Sequence, residues 1–150
     1  MSSTDRWGQD IALDENGQAR VAANGELVLT DGVDTGVQDI RLRLATCLGA
    51  LFYDLDFGSL IHEWVYEDST DVTRAAFLAE LTMRVEMDPR VVVGSVNATI
   101  LNWDEKSLSV AVYWRFIDVD HPMNLVLQAD KSTRSLLILD GRYTTPPETL

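Results

Sequence analysis

Two histidines, one cysteine and a surplus of carboxylates are the residues of this chain that could do chemistry. Glu63 is the sharpest candidate, because it stands between His62 and Trp64 in an apolar helical stretch. An apolar setting raises a carboxyl pKa toward general-acid use, and a glycosidase needs one such acid beside a second carboxylate. Asp54 and Asp56 precede it. The pattern is cheap, however, since 24 of the 150 residues are acidic. A solvated helix face is the better reading of Glu63. His62, His121 and Cys47 form no H-x-x-x-H or C-x-x-C spacing, so neither a metal nor any other cofactor is expected. Glycine-rich phosphate loops and the nucleophile-elbow pattern are also missing. Cys47 has no partner for a disulfide and falls in an apolar pattern, which predicts a buried, inert thiol.

The formal charge of −12 argues against a nucleic-acid groove, which needs a basic face. Ten of the 12 bases are arginine, either from codon bias or because arginine forms ordered, two-pronged ion pairs. No apolar run approaches a membrane span, and the opening residues lack the charged-then-apolar pattern of a secretory leader. A cytosol-like compartment of synthesis is the expectation, with no membrane partner.

A more specific feature is Asp88-Pro89-Arg90. Proline disfavours helical geometry at Asp88 and removes a backbone donor, so a helix must stop there. The bland reading of Arg90 is a bond to the orphaned helix carbonyls or to a nearby acid. The sharper one is a rigid knuckle presenting a guanidinium fork to a partner. The bland reading is the stronger of the two on these three residues alone.

The elements that position this corner are legible from periodicity. Residues 1–33 read as an arm with turns at Asn16-Gly17, Asn24-Gly25 and Asp31-Gly32 and a short strand over Glu26–Thr30. A helix follows from Asp34 to Gly49, with Val37, Ile40, Leu44 and Leu48 inward and Asp34 or Thr35 as cap. Leu42, Ala45 and Cys47 widen its apolar stripe, and Arg41 takes the outer face. Phe52-Tyr53 is expected extended, Asp56–Ser59 a turn, and Leu60–Tyr66 a short helix capped by Ser59. The Ser69–Asp88 helix, capped by Ser69 or Thr70, carries two apolar rows. One is Val72, Ala76, Ala79 and Met83; the other is Phe77, Leu81 and Val85.

Past the corner the period becomes two. A strand from Val92 to Ile100 is expected, with Gly94 marking a bulge, then a polar turn over Asn102–Ser107. Leu108 to Phe116, Met123 to Ala129 and Ser135 to Gly141 complete the strands. Helices before strands predict an α+β fold: two or three helices on a mainly antiparallel sheet, spanning 34–141, with a tail over 142–150.

The ordered set of pieces resembles one family. Gln38, Ile40, Arg41, Leu44 and Thr46 fall on the first helix. Asp56-Phe57-Gly58-Ser59 follows about ten residues later, then a short helix ending in Val65-Tyr66-Glu67. The second helix closes on Asp88-Pro89-Arg90-Val91, and an alternating hairpin completes the series. Over roughly Asp34 to Gln128 this is similar to the baseplate-wedge, or sheath-initiator, family of contractile phage tails, tailocins and type VI secretion baseplates. The family corner is Glu-Pro-Arg; here the acid is one methylene shorter.

The resemblance implies a structural protein of the virion tail baseplate, assembled in the bacterial cytoplasm, and not an enzyme. It implies that Asp88, Pro89 and Arg90 meet the core bundle of the baseplate wedge proteins. It also implies that the sheet pairs with arms of the tail sheath protein, with tube or hub proteins as further partners. We assign that strand addition to Ser109, Ala111, Tyr113 and Arg115 of the longest strand, because main-chain pairing gives directional strength without side-chain pockets. The family also carries a lysozyme-like label, which leaves a tail-associated cell-wall glycosidase as the alternative.

Overall fold

The computed structural model describes residues 7–14, 18–30, 32–65, 67–133 and 135–140. The Asn16-Gly17 turn, Asp31, Tyr66 and the expected tail over 142–150 lie outside the described residues. Among the described residues three helices precede four strands: α1 Val33–Ala45, α2 Ile61–Trp64, α3 Asp71–Glu86, β1 Asn97–Trp103, β2 Ser107–Trp114, β3 Met123–Asp130 and β4 Ser135–Asp140. The strands form one antiparallel sheet in the order β1-β2-β3-β4. The architecture is therefore α+β.

Helix α1 buries Val37, Ile40 and Leu44, as its 3.6-residue spacing requires. Its ends differ from expectation. Gly32 is the N-cap and no side chain caps the helix. The Thr35 hydroxyl instead faces the arm, 2.9 Å from the Thr30 hydroxyl and 3.0 Å from the Gly8 carbonyl. The helix stops at Ala45, because Thr46 turns extended and its hydroxyl donates to the Leu42 carbonyl at 2.7 Å. Cys47 consequently leaves the helix and is exposed, not buried. Ala45 is exposed and Leu42 and Leu48 are half-buried, so the apolar stripe is narrower than the sequence suggested.

Phe52-Tyr53 lies in a turn, with the Asp54 amide bonded to the Leu51 carbonyl at 3.2 Å, where extended chain was expected. Leu60 rather than Ser59 is the N-cap residue of α2, although the Ser59 hydroxyl accepts from the Ile61 amide at 3.4 Å. The same hydroxyl donates to the Leu44 carbonyl at 2.8 Å and so closes the C-terminal end of α1. The amide of Leu60, the N-cap residue of α2, donates to Glu80 Oε2 of α3 at 2.6 Å. The same oxygen accepts from Arg84 Nε at 2.8 Å, and both side chains are buried.

Helix α3 starts at a Thr70–Thr73 capping box, one of the two caps expected. Of its two apolar rows only Phe77, Leu81 and Val85 enter the core. Val72, Ala79 and Met83 face outward and Ala76 is half-buried. The core joins α1 and α3 to one face of the sheet through Val110, Val112, Trp114, Leu125, Leu127 and Ile138. Burying each such side chain contributes about 1.5–3 kcal/mol.

Strand β1 begins at Asn97, five residues later than the valine run suggested. Val91 forms a single antiparallel bridge to Phe116, and Gly94 then takes a left-handed turn at φ 85°. The register break of β1 falls between Ile100 and Asn102 and throws Leu101 outward. β2 ends at Trp114, although Phe116 keeps the expected inward alternation.

Candidate functional site

The Asp88-Pro89-Arg90 corner is built from a short acid, a ring and a fork. Pro89 is exposed at its apex. Asp88 is buried, and its Oδ1 accepts from the Arg90 amide at 2.9 Å, an Asx-turn over the proline. The same carboxylate grips the Arg90 side chain, Nε at 2.9 Å on Oδ1 and Nη2 at 2.6 Å on Oδ2. Arg90 Nη2 also reaches Asp39 Oδ2 of α1 at 3.0 Å. The backbone is tied as well: the Arg90 carbonyl accepts from Ile117 and the Arg115 carbonyl from Val92. The fork is thus occupied by two acids of its own chain. Arg90 folds inward rather than projecting, which is the ion-pair reading of the corner.

Trp7 of the arm covers the other side of Arg90, its ring 5.3 Å from the guanidinium carbon. The ring stands edge-on to Phe116 at 4.9 Å and lies over Gly36 of α1. A Cβ on Gly36 would meet the Trp7 ring at 2.6 Å, so the arm docks there only because α1 carries a glycine. Asp88, Arg90, Asp39, Trp7, Gly36 and Phe116 therefore form one joint between arm, α1, α3 and sheet. Trp7 and Asp39 had no signal in the sequence; Gly36, a glycine inside a helical period, was the signal available.

Charge follows this geometry. Bonding to Asp88 drives the Arg90 guanidinium further above its ordinary pKa, against the opposing effect of burial. Asp39 goes the other way for an ion-paired acid. Burial raises its pKa, and the single bond from Arg90 does not offset that. Two of the three side-chain bonds of Arg90 go to Asp88, and the Asp88 charge adds to the rise at Asp39.

The rest of the arm is held by polar residues of α1. Segments 10–14, 18–22 and 26–30 bond to one another in a closed triangle: Ala12 amide to Val28, Val28 amide to Arg20, Arg20 amide to Ala12. The buried Gln38 amide serves this unit as a neighbouring strand would, accepting from the Leu13 amide and donating to the Ile11 carbonyl, each at 2.8 Å. Arg41 is not on an outer face; its Nη2 donates to the Leu13 and Asp14 carbonyls.

On the sheet, Ser109, Ala111 and Tyr113 pair with Asn102, Thr99 and Asn97 on one side and with Gln128, Val126 and Asn124 on the other. Arg115 donates its amide to the Ser95 hydroxyl and accepts from Val92. β2 is thus an inner strand whose main chain is already paired, and a further strand cannot add to it. Among the described residues, β1 and β4 are the strands with one neighbour each.

Glu63 is exposed on the four-residue α2. His62 Nε2 lies 2.9 Å from the Ala45 carbonyl, which fixes the ring to the end of α1. Among the described residues no group of three or more His, Cys, Asp or Glu could hold a metal ion. No described helix is long and apolar enough to cross a membrane.

No protein-family model and no curated protein matches the sequence. The structure is similar to that of a candidate tail lysozyme from Geobacter sulfurreducens, with a TM-score of 0.58 and 24% identity. The match covers 70% of this chain and 96% of that one. At that identity the likeness shows a shared fold.

Proposed function

We propose that this chain is a structural protein of a contractile tail: a baseplate-wedge component that docks on the wedge core and templates the first sheath ring by strand addition. The observation that carries the reading is an antiparallel meander on a helical base, in which β1 and β4 each have one strand neighbour among the described residues, in a fold shared with a protein described as belonging to a tail. An open edge holds unpaired main-chain donors and acceptors in register, which an extended sheath arm can complete.

β4 is the edge for this role. It pairs with β3 without interruption from Ser135 to Asp140, whereas the break at Leu101 disrupts the regular edge of β1. Ser109, Ala111, Tyr113 and Arg115 then support the sheet from within rather than receive the strand. Asp88 and Arg90 set the shape of the corner and Pro89 is the part that meets the wedge. The outward row of α3, with Met83 and Met87, leads to Pro89. A helix apolar on both faces calls for cover on both, and a bundle helix supplies it.

The lysozyme description of the structural neighbour keeps a glycosidase as the second reading, with Glu63 as acid. A turbidity assay on peptidoglycan separates the two. Purified protein is expected to leave the suspension turbid; clearing that disappears in Glu63→Gln overturns the structural reading. Conversely, Met83→Asp is expected to abolish co-sedimentation with wedge proteins while leaving thermal unfolding unchanged. Intact binding in that variant removes α3 from the interface.

A further inference from the structure

The loop between α1 and α2 has a construction that the tail reading does not use. Its base is closed: the Ser59 amide bonds to the Thr46 carbonyl at 2.9 Å and the Leu48 amide to the Ser59 carbonyl at 3.0 Å. Gly58 makes that closure possible, at φ 121° with the Thr46 carbonyl 2.8 Å from where a Cβ would sit. Within the loop the amides of Ala50, Asp54 and Phe57 close three successive turns. Arg43 stacks 4.9 Å over the Phe57 ring and holds the descending limb to α1.

On this ordered base the largest side chains point into solvent. Phe52 is 89% exposed, Tyr53 72% and Leu55 62%. The two rings meet edge to face at 5.2 Å, so they form one knob. Asp54 and Asp56, both exposed, alternate with them and are the only charges in the loop. Ordered aromatic anchors ringed by charge are the makings of an interface hot spot, since the apolar centre supplies affinity and the rim steers encounter.

We infer that this loop is a docking knob for a protein partner that offers an apolar pocket rimmed by lysine or arginine. The charges choose among occupants. An anionic lipid surface is repelled by Asp54, Asp56 and a chain of net charge −12. A second copy brings the same two acids and the same net charge against the knob. A basic-rimmed pocket neutralises the acids while it covers the rings. The inference stands on the loop and is independent of the tail assignment.

The test uses the full chain with a photo-crosslinking residue in place of Leu55, irradiated in the producing cell. The protein captured is then purified and its affinity measured for the wild-type chain and two double variants. Phe52→Ser/Tyr53→Ser and Asp54→Lys/Asp56→Lys are each expected to weaken binding by about tenfold or more. Both should keep the wild-type unfolding temperature, because the altered side chains are solvent-exposed. Wild-type binding is expected to weaken with added salt. Four results overturn the inference: no captured protein, a crosslink to a second copy, retention on phosphatidylglycerol vesicles, or both double variants binding within about twofold of wild type.

Discussion

Asp88 holds Arg90 through three bonds, one to its amide and two to its guanidinium, across the single proline between them. An aspartate suits this place because its carboxylate reaches the amide two residues on and the fork at once. Asp88→Ala is expected to cost about 3 kcal/mol, because it removes three bonds at once and leaves the partly buried guanidinium with Asp39 as its one remaining acid. For a chain of this length that corresponds to roughly 8 °C in Tm. Asp88→Glu keeps the charge but gives up the Asx-turn, at about 1 kcal/mol. Thermal unfolding checks both; equal losses in the two variants would mean that the ion pair contributes nothing.

Gly36 and Trp7 make a second, sign-sensitive prediction. On an open helix face Gly→Ala gains up to about 1 kcal/mol. Here the added Cβ meets the indole at 2.6 Å, so Gly36→Ala is expected to lose about 1–2 kcal/mol. In a Trp7→Ala background most of that penalty should vanish. A double-mutant cycle by denaturant unfolding measures the coupling, and additive losses would show that the ring does not sit over the glycine.

The raised pKa of Asp39 gives a pH dependence. Folding favours its protonated form, so its contribution is full below the ordinary carboxylate pKa and is lost as pH rises through the raised value. Measured against Asp39→Asn, the wild type should lose ground in Tm from about pH 4 upward. A gap that is flat with pH, or that grows in favour of wild type, contradicts burial as the dominant influence on this carboxyl.

Gln38 is expected to govern the arm rather than the core. Gln38→Ala removes both bonds to the segment around Ala12. Amide exchange at Leu13 should accelerate by about tenfold or more, the loss of one to two kcal/mol of local protection. Amides of β2 and β3 should keep wild-type protection. Unchanged exchange at Leu13 would show that the triangle of short segments holds itself in place.

Strands and helices were legible where one residue spacing had one solution. Leu108, Val110, Val112 and Trp114 alternate over a strand with sheet on both sides, and their inward face is the observed core. In α3 two apolar rows satisfied the same helical period. Which one entered the core depended on partners distant in sequence, with Glu80 reaching Leu60 and Phe77 meeting Trp103. Thr46 ended α1 through a hydroxyl bond to its own helix, a contest that Leu48 and Gly49 obscured. The corner itself was marked by Pro89, but its acid from α1 and its ring from the arm are 51 and 83 residues away from Arg90. Local pattern carries no information on such pairings. The inner position of β2 was hidden for the same reason: a long alternating strand reads alike at an edge and in the middle of a sheet.

Density for the assembled contractile tail tests the central claim most directly. The account predicts this chain at the base of the sheath, with Pro89 against a helix of the wedge core and an added sheath strand along Ser135–Leu139. A tail that lacks the chain, or one in which no sheath strand pairs with this sheet, would contradict it.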